Sequence, residues 1–98
     1  MVPPSVKILC VEIDANLLER RCAALRASGY DAFSASPRTA EVVLRGQKFD
    51  LVILSALTEN DQTRILNLAD GAQVMTLHGP IPAQDIVALV AARVRSIH

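Results

Sequence analysis

Four short β-branched runs alternate with four longer amphipathic segments along this 98-residue chain, and that alternation constrains its fold more than any other feature. A strand followed each time by a helix must cross back to lie beside an earlier strand. The outcome is a parallel sheet with helices on both faces, joined by right-handed crossovers. The run Val6-Lys7-Ile8-Leu9-Cys10-Val11 is nearly continuous and apolar, the pattern of a strand covered on both faces. Asp14 offers an N-cap to a first helix with Leu17, Leu18, Cys22 and Leu25 as its apolar stripe, ended by Ser28-Gly29. Tyr30 to Ala35 forms a second strand, and Ser36-Pro37 opens a helix to about Arg45, closed by Gly46. Phe49 to Leu54 is the clearest strand, ending at Ser55. Thr58 to Asp70 supplies a third helix, Ala72 to Leu77 a fourth strand. Asp85 or Ala83 opens a last helix with Ile86, Val90, Val94 and Ile97 on one face. The fold class is therefore α/β, a doubly wound parallel sheet of about four βα units, as one domain over residues 1–98.

Hydrophobic residues make up 51% of the chain but only three are aromatic, so the core has to be thin and aliphatic. Ten Lys+Arg against ten Asp+Glu leave no net charge to hold a polyanion, which argues against nucleic acid. The longest apolar run, Ile86 to Ala92, is far short of the ~20 residues of a membrane span. The first residues lack the basic start and apolar stretch of a signal peptide, so a soluble cytoplasmic domain is expected. Cys10 and Cys22 have neither zinc-site nor disulfide-framework spacing and read as small core residues. The four glycines sit singly at element ends, with neither a dinucleotide fingerprint nor a P-loop among them.

The stretch Lys7-Ile8-Leu9-Cys10-Val11-Glu12-Ile13-Asp14-Ala15-Asn16-Leu17-Leu18 resembles the opening of a bacterial response-regulator receiver domain. Ser28 to Ser36 is similar to the second strand of that family, Phe49 to Ser55 to its third, and Gly79-Pro80-Ile81 with Asp85-Ile86-Val87 to its closing turn and helix. The resemblance runs in order through nearly the whole chain. It implies a flavodoxin-like fold, with sheet order 2-1-3-4 once one of the family's five βα units is lost, though which unit is left open. It also implies a family chemistry: transfer of a phosphoryl group from a histidine kinase to an aspartate, aided by Mg²⁺ on an acidic pair and by a hydroxyl and a lysine on later strands. Position by position, this chain departs from it. Glu12 keeps the first acid, Ile13 replaces the second, Ser55 stands at the acceptor aspartate, Gly79 at the lysine, and His78 at the hydroxyl position if the fourth strand is Val74 to Leu77. A serine hydroxyl is a weak nucleophile without a base and carries no charge for a metal. The expectation is a shortened, degenerate receiver that is not phosphorylated at the usual position, with no metal, no cofactor and no catalytic residue.

These residues also admit plainer readings. Glu12 reads as a solvated carboxylate at a strand end and Asp14 as an N-cap. Ser55 and His78 lack a third orienting residue and the glycine-flanked elbow of a hydrolase. Ile13 is expected first to pack on Leu57 or the Pro80 turn and otherwise to stay exposed as part of a contact surface; Arg20, Arg21, Arg26, Arg93 and Arg95 are expected to form a solvated face, or else to mark an acidic partner. The strand Ala72 to Leu77 is left at the sheet edge without charge or proline, the devices that normally blunt an edge. Val74 on it and Val87, Leu89 and Val90 on the last helix are then the expected interaction surface, for a homodimer or another signalling protein. The leading expectation of function is a non-enzymatic protein-interaction module in two-component signalling. The alternative is a sensor of a small ligand or anion in the Glu12/Ser55/His78 crevice; residual phosphotransfer comes third.

Overall fold

The computed structural model describes residues 6–55, 57–69, 71–78 and 81–97, residues 96 and 97 by their backbone alone. Gly79, Pro80 and the side chain of Ile97 therefore lie outside the described residues. The elements follow the order β1 (Lys7–Val11), α1 (Ala15–Ala27), β2 (Asp31–Ala35), α2 (Pro37–Gly46), β3 (Leu51–Ser55), α3 (Glu59–Leu68), β4 (Gln73–Leu77) and α4 (Ala83–Ile97). The four strands form one parallel sheet in the order β2-β1-β3-β4. This is a flavodoxin-like α/β arrangement with four βα units, in the strand order that the resemblance implies.

Local chemistry sets the helix ends. Asp14 caps α1 by accepting from the backbone N–H groups of Asn16 and Leu17 at 3.0 and 3.2 Å, and Ser36 caps α2 with Pro37 behind it. Thr58 caps α3 by accepting from the Asp61 N–H at 3.2 Å. α3 is thus shorter than the segment from Thr58 to Asp70, with its threonine as cap and not as first helical residue. Gly29 and Gly71 take φ of +96° and +82° just beyond helix ends, a backbone region where a side chain is strained.

Two apolar layers enclose the sheet. On one face α1 and α4 lie side by side and bury Leu18, Cys22, Leu25, Ile86 and Val90 against Ile8, Ile53 and Met75. On the other, α2 and α3 bury Ala40, Leu44 and Ile65 against Leu9, Val52 and Leu54. Every residue of β3 is buried, and all of β1 but Lys7, as the central strands of a doubly wound sheet must be. Cys10 and Cys22 are free, buried thiols in the first layer. The hydrogen bond shared with Cys22, reinforced by burial, pushes the Cys10 thiol up. The same bond lowers Cys22.

Val90 is a correction to the surface expected from sequence. It is fully buried, inside the layer between α4 and the sheet. At a helical period the stripe of Ile86 and Val90 is needed to cover β3 and β4, leaving Leu89 exposed and Val87 half-buried. Among the described residues no helix is long and apolar enough to cross a membrane.

Cutting Ile53 back to alanine at the centre of β3 is expected to cost about 2–5 kcal/mol of unfolding free energy by urea titration. Val42→Ala, on the exposed face of α2, should stay within about 0.5 kcal/mol of the wild type.

Candidate functional site

Parallel neighbours end on the same edge of a sheet, and in this sheet β1 and β3 are adjacent. Glu12 follows the last residue of β1, and Ser55 is the last residue of β3 and the one polar side chain in that strand. Both stand at the carboxyl edge where open α/β sheets present their crevices. The structure brings them together with a third group, Arg21, sent down from the inner face of α1. All three are buried, at 4%, 2% and 2% exposure for Glu12, Ser55 and Arg21.

Arg21 organises the site. Its Nη1 donates to Ser55 Oγ at 2.9 Å, and its Nη2 and Nε donate to the Ile81 carbonyl at 3.1 and 3.3 Å. Ser55 Oγ in turn donates to Glu12 Oε1 at 3.4 Å, while Glu12 Oε2 accepts from the Ile13 N–H at 2.9 Å. The direct ion pair, Arg21 Nη1 to Glu12 Oε1, spans 3.8 Å, so the serine hydroxyl bridges the two charges. Among the described residues no buried side-chain nitrogen or oxygen lacks a partner. One guanidinium thus ties the ends of β1 and β3 to the segment leading into α4.

Several sequence expectations change here. Glu12 is not a solvated carboxylate: it lies under α1, and its burial is tolerable because Arg21 and two hydrogen bonds compensate its charge. Ile13 is 61% exposed, the second of the two places expected for it, and so does not close the core. Arg21 does not belong to a solvated face. Its neighbours in helical spacing, Leu18, Cys22 and Leu25, are all buried, so position 21 falls on the inner stripe. That i, i+3, i+4, i+7 pattern is visible in the sequence, and an arginine inside it was the available signal. Arg20, Arg93 and Arg95 are exposed.

His78 is exposed beyond the end of β4 and has no place in the buried network. Asp14 spends its carboxylate on the α1 cap. Among the described residues no cluster of three or more His, Cys, Asp or Glu side chains is placed to hold a metal ion. A hydroxyl that accepts from a guanidinium is a poorer nucleophile than a free one, because the cation draws density from its oxygen. The charge of Arg21 is likewise committed to Ser55, Glu12 and Ile81.

No protein-family model matches the chain, and no curated protein sequence matches it.

Removing Arg21 leaves Glu12 buried and uncompensated, so Arg21→Met is expected to lower unfolding free energy by about 3–5 kcal/mol. Adding Glu12→Gln to it should cost less than the sum of the two single changes, with a coupling of about 0.5–3 kcal/mol in a denaturation cycle. Additive effects would mean that the two charges do not sense each other.

Proposed function

We propose that the protein is a receiver-like signalling module of the cytoplasm that works by protein–protein contact and not by phosphoryl transfer. The observation that carries this reading is the Arg21 guanidinium, seated between Glu12, Ser55 and the Ile81 carbonyl at the carboxyl edge of the sheet. Under the receiver resemblance that edge is where Mg²⁺ and the phosphoryl group would be held. Here an internal cation already neutralises Glu12, and Ser55 stands in place of the acceptor carboxylate. The order β2-β1-β3-β4, with βα units in regular succession, fits a shortened receiver. That support is one of fold, and folds of this kind host many functions. The exposure of Ile13, next in sequence to Glu12, adds an apolar side chain suited to contact. A ligand sensor in the same crevice is less well supported, because its one buried cation is already bound internally and His78 lies outside it.

Incubation with Mg²⁺ and a small acyl-phosphate donor tests the reading. Intact-mass spectrometry is expected to show no phosphate adduct, and Mg²⁺ at physiological concentration should leave Tm unchanged, since only a ligand of the folded state raises it. A stoichiometric, acid-labile phosphate on a carboxylate near Ser55 would overturn it, as would a Mg²⁺-dependent rise in Tm that Glu12→Gln abolishes.

A further inference from the structure

The two edges of the sheet are not treated alike. At the β2 edge, the Asp31 N–H donates to the Val6 carbonyl at 3.0 Å and the Ala35 carbonyl accepts from Glu12 at 3.3 Å. Peptide groups along a strand face alternate sides, so Asp31, Phe33 and Ala35 address β1, while Ala32 and Ser34 point outward. The outward Ala32 carbonyl is taken by Arg26, whose Nε donates to it at 2.9 Å across the end of α1. With Asp31 exposed beside it, this edge carries a side-chain cap and a charge, both of which block strand addition.

The β4 edge carries neither. The Gln73 N–H donates to the Asp50 carbonyl at 3.1 Å, so Gln73, Met75 and Leu77 address β3 and the peptide groups of Val74 and Thr76 point outward. Among the described residues no side chain caps them, and the strand contains no charged residue and no proline. Its α2/α3 face is also poorly covered, with Thr76 exposed and Val74 only half-buried. Asp61 and Arg64 of α3 line a cleft with Arg38 and Glu41 of α2, which fixes the flank of α3 turned toward α2. Leu66 lies about 200° round the helix from Arg64, at 3.6 residues per turn. It is therefore on the flank turned away from α2, and is 48% exposed.

We infer that a second copy of this chain pairs with β4, antiparallel, about a two-fold axis through Met75. This rests on the reading of the protein as an interaction module and names its partner. In that register Val74 lies opposite the partner's Thr76, and each residue both donates to and accepts from the other; Met75 meets its own counterpart between the hydrogen-bonded pairs. The arrangement uses only the outward-pointing peptide groups and sets Val74 beside Thr76 on the open face. Like charges directly opposite would oppose such self-pairing, and the strand has none. Because Arg26 and Asp31 close the β2 edge, head-to-tail stacking of β4 on β2 cannot propagate. The isologous pair closes as a dimer.

Sedimentation velocity at high micromolar concentration tests this. The wild type is expected at twice the chain mass, with the Val74 and Thr76 amides slow in hydrogen exchange. Thr76→Pro removes an outward N–H that the β3–β4 ladder does not use, so it should give a monomer of unchanged circular dichroism. Thr76→Lys serves the same purpose should the proline variant not fold. Val42→Lys, on α2 over the β2 half of the sheet, should remain dimeric. A monomeric wild type overturns the inference, as does a dimer that persists in both Thr76 variants or a mass gain only with a different added protein. The phosphate-donor experiment reads separately, so a monomer that takes up no phosphate removes the dimer alone and leaves the contact-module reading standing.

Discussion

A parallel sheet needs both faces hidden, and among the described residues two helices serve each face of four strands. The helices settle over the middle of the sheet, where coverage removes most apolar area from water, and β1 and β3 become the buried axis of the molecule. Their neighbouring carboxyl ends then fix where Glu12 and Ser55 meet. The same economy leaves β4 half-covered on the α2/α3 side. The candidate site and the open edge are two consequences of one shortage of helices.

Arg21 is the costly element in this arrangement. Moving a guanidinium out of water is unfavourable by several kcal/mol, and a direct ion pair of 3.8 Å does little to offset it alone. The Ser55 hydroxyl and the Ile81 carbonyl supply the rest, each within hydrogen-bonding distance of a different nitrogen of the fork. An apolar side chain of similar volume could fill the space, but it could not bind a carbonyl sixty residues away in sequence and orient the segment that enters α4. The charged network gives direction where packing would give only volume. It also accounts for Glu12, which has no other cation within reach among the described ion pairs.

Much of the fold was legible because its signals are local. Asp14, Ser36 and Thr58 each precede a helical stripe and each caps it through its own side chain. The apolar runs Ile8 to Val11 and Leu51 to Leu54 are central strands because no other position tolerates so little polarity. Right-handed crossovers give the sheet its hand, while the order β2-β1-β3-β4 is implied by the receiver resemblance and is the one the structure has. The site was half-legible. Glu12 and Ser55 stand out as polar residues at the ends of apolar strands, whereas Arg21 adjoins Arg20, which does face solvent. The directions of Ile13 and Val90 are not legible for a related reason. Composition says that a side chain is apolar, but its direction depends on where the backbone turns and which stripe the neighbouring helix leaves uncovered.

The sequence by itself determined the four βα units, the Asp14 and Ser36 caps and the parallel sheet, since these depend on local residue spacing, on the alternation of segments and on the handedness of the chain. It also determined that β4 carries no charge or proline. The spacing of Arg21 within the stripe of α1 signals its burial, but only the tertiary structure decided what compensates its charge. Arg21 is interior because α1 lies against the ends of β1 and β3, with Ile81 brought from the far end of the chain to accept from it. Only the tertiary structure, too, set Arg26 across one sheet edge and left the other open. A side chain's partner across the fold is fixed by the packing of whole elements, and no spacing along the chain encodes it.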